Sequence, residues 1–170
     1  MSRARLEAEL AELHGASFGW ALACCRTDRG EAEEVLQATY LKVLDGRARF
    51  DGGSEFKTWL FAVIRRTAAE RRRRSWMRAL ALDRWRAGHA EPTPVPDPER
   101  LASRSEAARR LRVSLRALPA RQRELLHLVL YQDLSLEEAA QVVGISVGSV
   151  RTHYHRAKIR LRQMLGEGGR

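Results

Sequence analysis

Apolar residues recur along this chain at intervals of three and four, the period of a single helix face. The alternation that marks a half-buried strand is almost absent. Leu6, Leu10, Leu13, Phe18 and Leu22 predict a helix over Arg5–Ala23. A second begins near Gly30 or Glu31 and runs to Leu44, on Val35, Leu36, Tyr40, Leu41, Val43 and Leu44; its acidic first turn suits the helix dipole. A glycine-bearing loop, DGRARFDGGSEF, follows. The third helix starts at Ser54 or Glu55 and continues to Arg74 or beyond. Its first half is apolar (Trp59, Leu60, Phe61, Val63, Ile64) and its second basic (Arg65, Arg66, Arg71 to Arg74). After a break come a helix over Leu101–Leu118 and one opened by Pro119, carrying Leu125, Leu126, Leu128, Val129 and Leu130. His127 in that run reads as a residue at the edge of the core.

The break is the stretch GHAEPTPVPDPE, Gly88 to Glu99, which holds four of the five prolines at alternate positions. Proline at that density blocks helix and favours extended backbone. The expected organisation is therefore all-α: two small helical domains, residues 1–86 and 101–170, joined by a Pro-rich linker over 87–100.

The last pattern is the most specific. From Ser135 to Leu161 the chain reads as a helix, a short turn and a second, basic helix, the form of a helix-turn-helix DNA reader. Ser135 and Glu138 are spaced as a capping box. Leu136, Ala139, Ala140 and Val143 form an apolar face, with Ala140 small where the helices approach. Gly144 suits a turn needing positive φ. Ile145 and Val150 fill the gap between the helices, and Ser146 can cap the second. Ser149, Arg151, Thr152, His155 and Arg156 are the side chains placed to reach base edges and phosphates, with Lys158 further along.

Charge agrees with that target. The chain of 170 residues carries a formal net charge of +10, and its pI is about 10.8. Such a balance favours polyanions, nucleic acid first and an acidic membrane surface second. No apolar run is long enough to span a bilayer, and the first ten residues are charged throughout, so a soluble, cytoplasmic protein is expected. Cys24 and Cys25, the only cysteines, are adjacent and cannot make a disulfide framework; buried free thiols are the expectation. No Walker loop, nucleophile elbow, HExxH or metal-spaced His/Cys cluster is present. No catalytic residue, metal or cofactor is expected.

The order of EAEEVLQATYLKVL, RFDGGSEFKTWLFAVIRRTA, the Pro-rich linker and LRALPARQRELLHLVLYQDLSLEEAAQVVGISVGSVRTHYHRAKIRLRQML resembles the bacterial RNA polymerase sigma factors of the extracytoplasmic-function (ECF) class. The resemblance covers nearly the whole chain and implies regions 2 and 4 of that family. It implies that Glu34, Gln37, Tyr40 and Leu41 dock on the clamp helices of the polymerase β′ subunit. It implies that the loop Gly46–Glu55 and the following helix, with Phe56, Lys57, Trp59, Arg65, Arg66 and Arg73, open and read the −10 element. Trp59 by its own pattern is a core residue before it is a stacking platform. Region 4 would place its second helix in the −35 major groove and meet the β flap. Many family members carry Asn at the position of Arg66 and an acidic residue at that of Ala38. The implied partners are core polymerase, promoter DNA and an anti-sigma factor, with a monomer when free. The alternative is an operator-binding helix-turn-helix regulator, which leaves the first block unaccounted for because it has no α/β receiver pattern.

Overall fold

The computed structural model describes residues 2–86 and 106–166, and of 81–86, 107 and 108 only the backbone. The Pro-rich linker, 87–100, and the expected start of the fourth helix at Leu101 lie outside the described residues. Those described form helices and turns with no strand. In order they are α1 (Arg3–Glu12), α2 (His14–Cys24), α3 (Arg29–Leu44), α4 (Phe56–Arg86), α5 (Glu106–Ala117), α6 (Ala120–Leu126), a π-helical turn (His127–Tyr131), α7 (Leu136–Val143) and α8 (Val147–Gly166).

The first expected helix is two. At Leu13 ψ opens to 2°, two residues before Gly15, a weak helix former. The break turns α1 onto α3, where the Tyr40 hydroxyl faces the Leu10 carbonyl at 3.5 Å. The chain then reverses through Arg26 and Thr27, both with positive φ (54° and 69°). Asp28 caps α3 by accepting the Glu31 N–H at 2.9 Å, satisfying one of the helix's orphan donors.

The apolar half of α4 is buried on more than one side. Leu60, Phe61, Ile64 and Ala68 line one face, while Thr58 and Val63 are buried on others. A helix apolar around most of its circumference belongs in a core, and α4 has neighbours to match: it packs on α2, α3 and α7. Trp20 of α2 lies at the centre, fully buried. Its indole N–H donates to the Phe61 carbonyl at 2.9 Å, which removes the desolvation cost a buried donor would otherwise carry. The ring stacks on Phe61 (centroids 6.0 Å) and also on His127 (5.6 Å).

That second stack crosses between the halves. The main cluster of buried apolar residues runs without a break from Leu10, Trp20, Val35 and Ile64 to Leu125, Leu128, Leu134, Ala139, Val142 and Val150. A smaller one, Leu118, Leu126 and Ala157, holds α6 to α8. The helices before 87 and those after 105 each form a bundle, and the two bundles pack face to face, α2 and α4 against α6, the π turn and α7.

The helix opened by Pro119 also differs from expectation. Pro119 is its N-cap and α6 stops at Leu126, after which the ladder widens so that the Gln132 N–H reaches the His127 carbonyl at 3.1 Å. Such π turns recur at functional joints. Here the widening brings Gln132 to the other bundle: its carbonyl accepts from Lys57 Nζ at 2.7 Å and its amide nitrogen faces the Ala16 carbonyl at 3.4 Å.

Cys24 and Cys25 are free and buried. Burial is the main cause that raises both thiols, Cys25 to about 12 and Cys24 well above its ordinary value. Neutral thiols of this kind are packing residues, poor in the thiolate that redox chemistry needs.

Candidate nucleic-acid interface

The helix-turn-helix is built as its local chemistry requires. Ser135 Oγ accepts the Glu138 N–H at 3.1 Å, and Glu138 Oε2 accepts the Ser135 N–H at 2.8 Å, closing the capping box. The Ser135 backbone N–H is the first cause holding the Glu138 carboxyl below its ordinary value. Gly144 ends α7 in the left-handed region (φ 69°, ψ 41°), its N–H bonded to the Ala140 carbonyl. Ser146 caps α8 by accepting the Ser149 N–H at 3.2 Å. Val150 is fully buried beneath the turn and Ile145 half-buried beside it. The turn and both caps thus fix the angle at which α8 leaves the core.

That angle presents one polar face of α8 to solvent. Ser149, Arg151, Thr152, His155 and Arg156 are all exposed. Ser149 Oγ is bonded to Ser146 Oγ, and Thr152 donates back to the Gly148 carbonyl. Arg151 lies 3.5 Å from Glu137 in an exposed pair, which is worth little in water. Lys158 stands apart: it is half-buried, with Nζ 4.7 Å from the centre of the Tyr154 ring.

The six residues placed on α4 by the family resemblance are not brought to one surface. Phe56 is buried, edge-on to Phe50 at 5.3 Å, and supports the loop before α4. Trp59 is half-buried against the same two rings. Lys57 is tied to Gln132. Arg65 bonds Glu124 at 3.1 Å and the Val143 carbonyl at 3.3 Å. Only Arg66 and Arg73 are exposed. Trp59 and Arg66 share an open cleft of about 580 Å³ with Lys42, Arg47, Arg49 and Asp51. Arg47 and Arg49 belong to that cleft through the loop, whose glycines Gly46 and Gly52 have φ 71° and 82°. Their sequence signal was the paired arginines of GRARF between two turn glycines.

A second candidate surface lies on α3. Gln37, Tyr40 and Leu41 line a groove of about 530 Å³ with His14, Phe18, Leu36 and Leu44. Leu41 is 54% exposed there, large for an unpaired apolar side chain, and burial raises the Tyr40 phenol. Glu34 does not join them; it faces α4, paired with Arg71. Phe18 and Leu44 line the groove from positions that helical periodicity assigns to core, and His14 joins them without a signal in that pattern.

Among the described residues no group of three or more His, Cys, Asp or Glu side chains is placed to hold a metal, and no helix is long and apolar enough to cross a membrane.

Comparison with known proteins gives this architecture its family. The model for Sigma-70 region 2 matches residues 12–78, and that for Sigma-70, region 4 matches residues 105–161. The RNA polymerase sigma factor YlaC of Bacillus subtilis is 32% identical over 132 residues, covering 78% of this chain and 76% of YlaC. The ECF RNA polymerase sigma factor SigD of Mycobacterium tuberculosis is 33% identical over 144 residues, covering 81% of this chain and 65% of SigD. Among solved structures, the sigma factor RpoE in complex with the anti-sigma factor NepR from Bartonella quintana has the same fold, with a TM-score of 0.72 at 23% identity over 95% of this chain and 97% of RpoE. Both sigma-70 regions are matched in order, and relatives align across most of the chain: it belongs to the RNA polymerase sigma factors, in the extracytoplasmic-function class.

Proposed function

We propose that this sigma factor reads a −35 element through the exposed face of α8, contacts and opens the −10 element through the cleft around Trp59 and Arg66, and docks on core polymerase through the α3 groove. The observation that carries the reading is α8 itself, set at a fixed angle by two caps and a left-handed glycine, with Ser149, Arg151, Thr152, His155 and Arg156 on one solvent face. Side chains of these kinds pair with base edges and phosphates in the major groove. An apolar groove with a few polar groups, as around Tyr40 and Leu41, is the kind of surface a partner helix fills.

In this reading the two bundles separate before both elements are read. Lys57 and Arg65 are otherwise committed to the other bundle, and a single core cannot straddle two promoter elements. Segment 87–100 then serves as the tether, and polymerase holds the two readers at the spacing of the promoter, raising their effective concentration. The packed form is a natural target for an anti-sigma factor. The structural neighbour RpoE, captured with the anti-sigma factor NepR, supports an anti-sigma partner for this chain.

In vitro transcription tests it. Adding the chain to core polymerase with a promoter library should start transcripts from a restricted set sharing −35 and −10 sequences. The free chain should bind the same DNA weakly. Tight footprints by the free chain, with no promoter-specific transcript, would establish an operator-binding regulator instead.

A further inference from the structure

A cleft of about 550 Å³ opens where the α2–α3 turn of the first bundle meets the α5–α6 turn of the second. It is lined by Arg26, Thr27, Arg116, Leu118, Pro119, Ala120 and Arg123. Three of the seven are arginines and none is acidic. None of the three has a carboxylate within ion-pair distance among the described residues. Asp28, beside Thr27, caps α3, and Glu124 is held by Arg65 and Arg121.

The guanidinium groups here are undersatisfied. Arg123 directs Nη1 to the Arg116 and Leu118 carbonyls, both at 3.4 Å, while its Nε is buried without a partner. Burial first, and then the positive charge of Arg26, pull the Arg123 guanidinium below its ordinary value; Arg72 adds to the same effect. Arg116 reaches across the joint to Thr27 Oγ1 at 3.0 Å, so its charge meets only a neutral hydroxyl. Arg26 and Arg116 are exposed and Arg123 is half-buried; like charges crowded at one joint are relieved by an anion, and arginine forks match phosphate oxygens in pairs.

We infer that this cleft is a binding site for a phosphorylated small molecule of the nucleoside polyphosphate type, held by Arg26, Arg116 and Arg123 and clamping the two bundles together. The volume lies in the range of small-molecule sites and far exceeds one phosphate. Pro119 and Ala120 are exposed, with Leu118 buried among the residues beneath, and form an apolar wall on which a base or sugar can rest. Arg26 and Thr27 come from one bundle, Arg116 and Arg123 from the other. The ligand therefore binds only the packed form and stabilises it by mass action. Its binding does not depend on any promoter or polymerase contact.

Calorimetric titration of the full chain with ADP and with pyrophosphate, at ionic strength matched with sodium chloride, tests the site. Saturable one-to-one binding of ADP is expected. The Arg26 side chain is exposed and makes no bond across the joint among the described residues; Arg26→Gln should weaken binding roughly tenfold, the loss of one charge-assisted bond. Arg116→Gln should weaken it similarly. Energy transfer between dyes on α1 and the end of α8 should report a narrower, closed distribution with ADP present. Absence of saturable binding for both anions overturns the proposal, as does binding that Arg26→Gln leaves unchanged. Loss of promoter-duplex binding in Arg26→Gln, with ADP not bound at all, would assign the cleft to DNA phosphates and also overturn it. Circular dichroism of each variant separates these outcomes from misfolding.

Discussion

Arg65 of α4 donates from Nε to Glu124 Oε2 of α6 at 3.1 Å, across the joint between the two bundles. The Glu124 side chain is only 9% exposed and that of Arg65 23%. Arg121 approaches the same oxygen at 3.4 Å, and both arginines also reach the Val143 carbonyl at the end of α7. One carboxylate and one helix terminus therefore collect two guanidinium groups, one from each bundle.

Removing Arg65 should loosen that joint. Breaking a fully buried pair costs about 3–5 kcal/mol; with Arg121 still in place and the pair partly exposed, Arg65→Gln should cost nearer about 2 kcal/mol. Urea unfolding measures the loss, and small-angle scattering should show a larger mean radius before unfolding begins. A double-mutant cycle with Glu124→Gln isolates the pair, and a coupling energy near zero would show that the packed core alone holds the bundles.

His127, stacked on Trp20 and on Tyr131 and bonded to Gln132, is held neutral: burial pushes it down to about 4. Its contribution is full above its ordinary value of 6.5, where both folded and unfolded chains carry it neutral. As pH falls from 6.5 towards 4 the unfolded chain takes the proton and the folded chain refuses it. Stability should therefore drop by about 2–3 kcal/mol over that window. The depressed carboxyls of Glu70 and Glu138 act below 4.5, through loss of stability as they protonate. Denaturant midpoints between pH 7 and pH 5 should thus report His127, and His127→Phe should flatten them.

Gly144→Ala tests the turn of the helix-turn-helix. A Cβ there meets nothing within 4 Å, so the cost is that of the left-handed backbone alone. About 1–2 kcal/mol is expected from chemical denaturation. Promoter affinity should fall further than that stability loss explains if the angle of α8 matters for reading.

Arg156 is exposed on α8 with no side-chain partner within bonding distance among the described residues. Arg156→Ala should cost about 1–3 kcal/mol of promoter binding by the polymerase complex and relax preference at one base pair. Equal weakening on every sequence, with a salt slope lower by about one, would make it a phosphate contact instead.

Most of the local architecture was legible from residue order. The capping box of Ser135 and Glu138, the left-handed Gly144, the Ser146 cap and the acidic start of α3 depend on neighbours within a few positions, and short-range chemistry decides them. The break at Leu13 and the π turn after Leu126 were not legible. Periodicity alone continues through both, and each serves a contact with a distant helix.

The candidate site divides along the same line. The polar face of α8 followed from spacing, because one helix displays it. The residues of α4 did not behave as a set: Phe56 faces the core, Lys57 and Arg65 face the other bundle, and Trp59 and Arg66 face a cleft completed by Arg47 and Arg49. A helix apolar on nearly every side does not declare which neighbour takes which face. Order along the chain determined two helical bundles, a basic reader and the family they belong to. Tertiary structure alone decided that the bundles share a core through Trp20 and His127, and which arginines that core leaves exposed, because burial depends on residues a hundred positions apart.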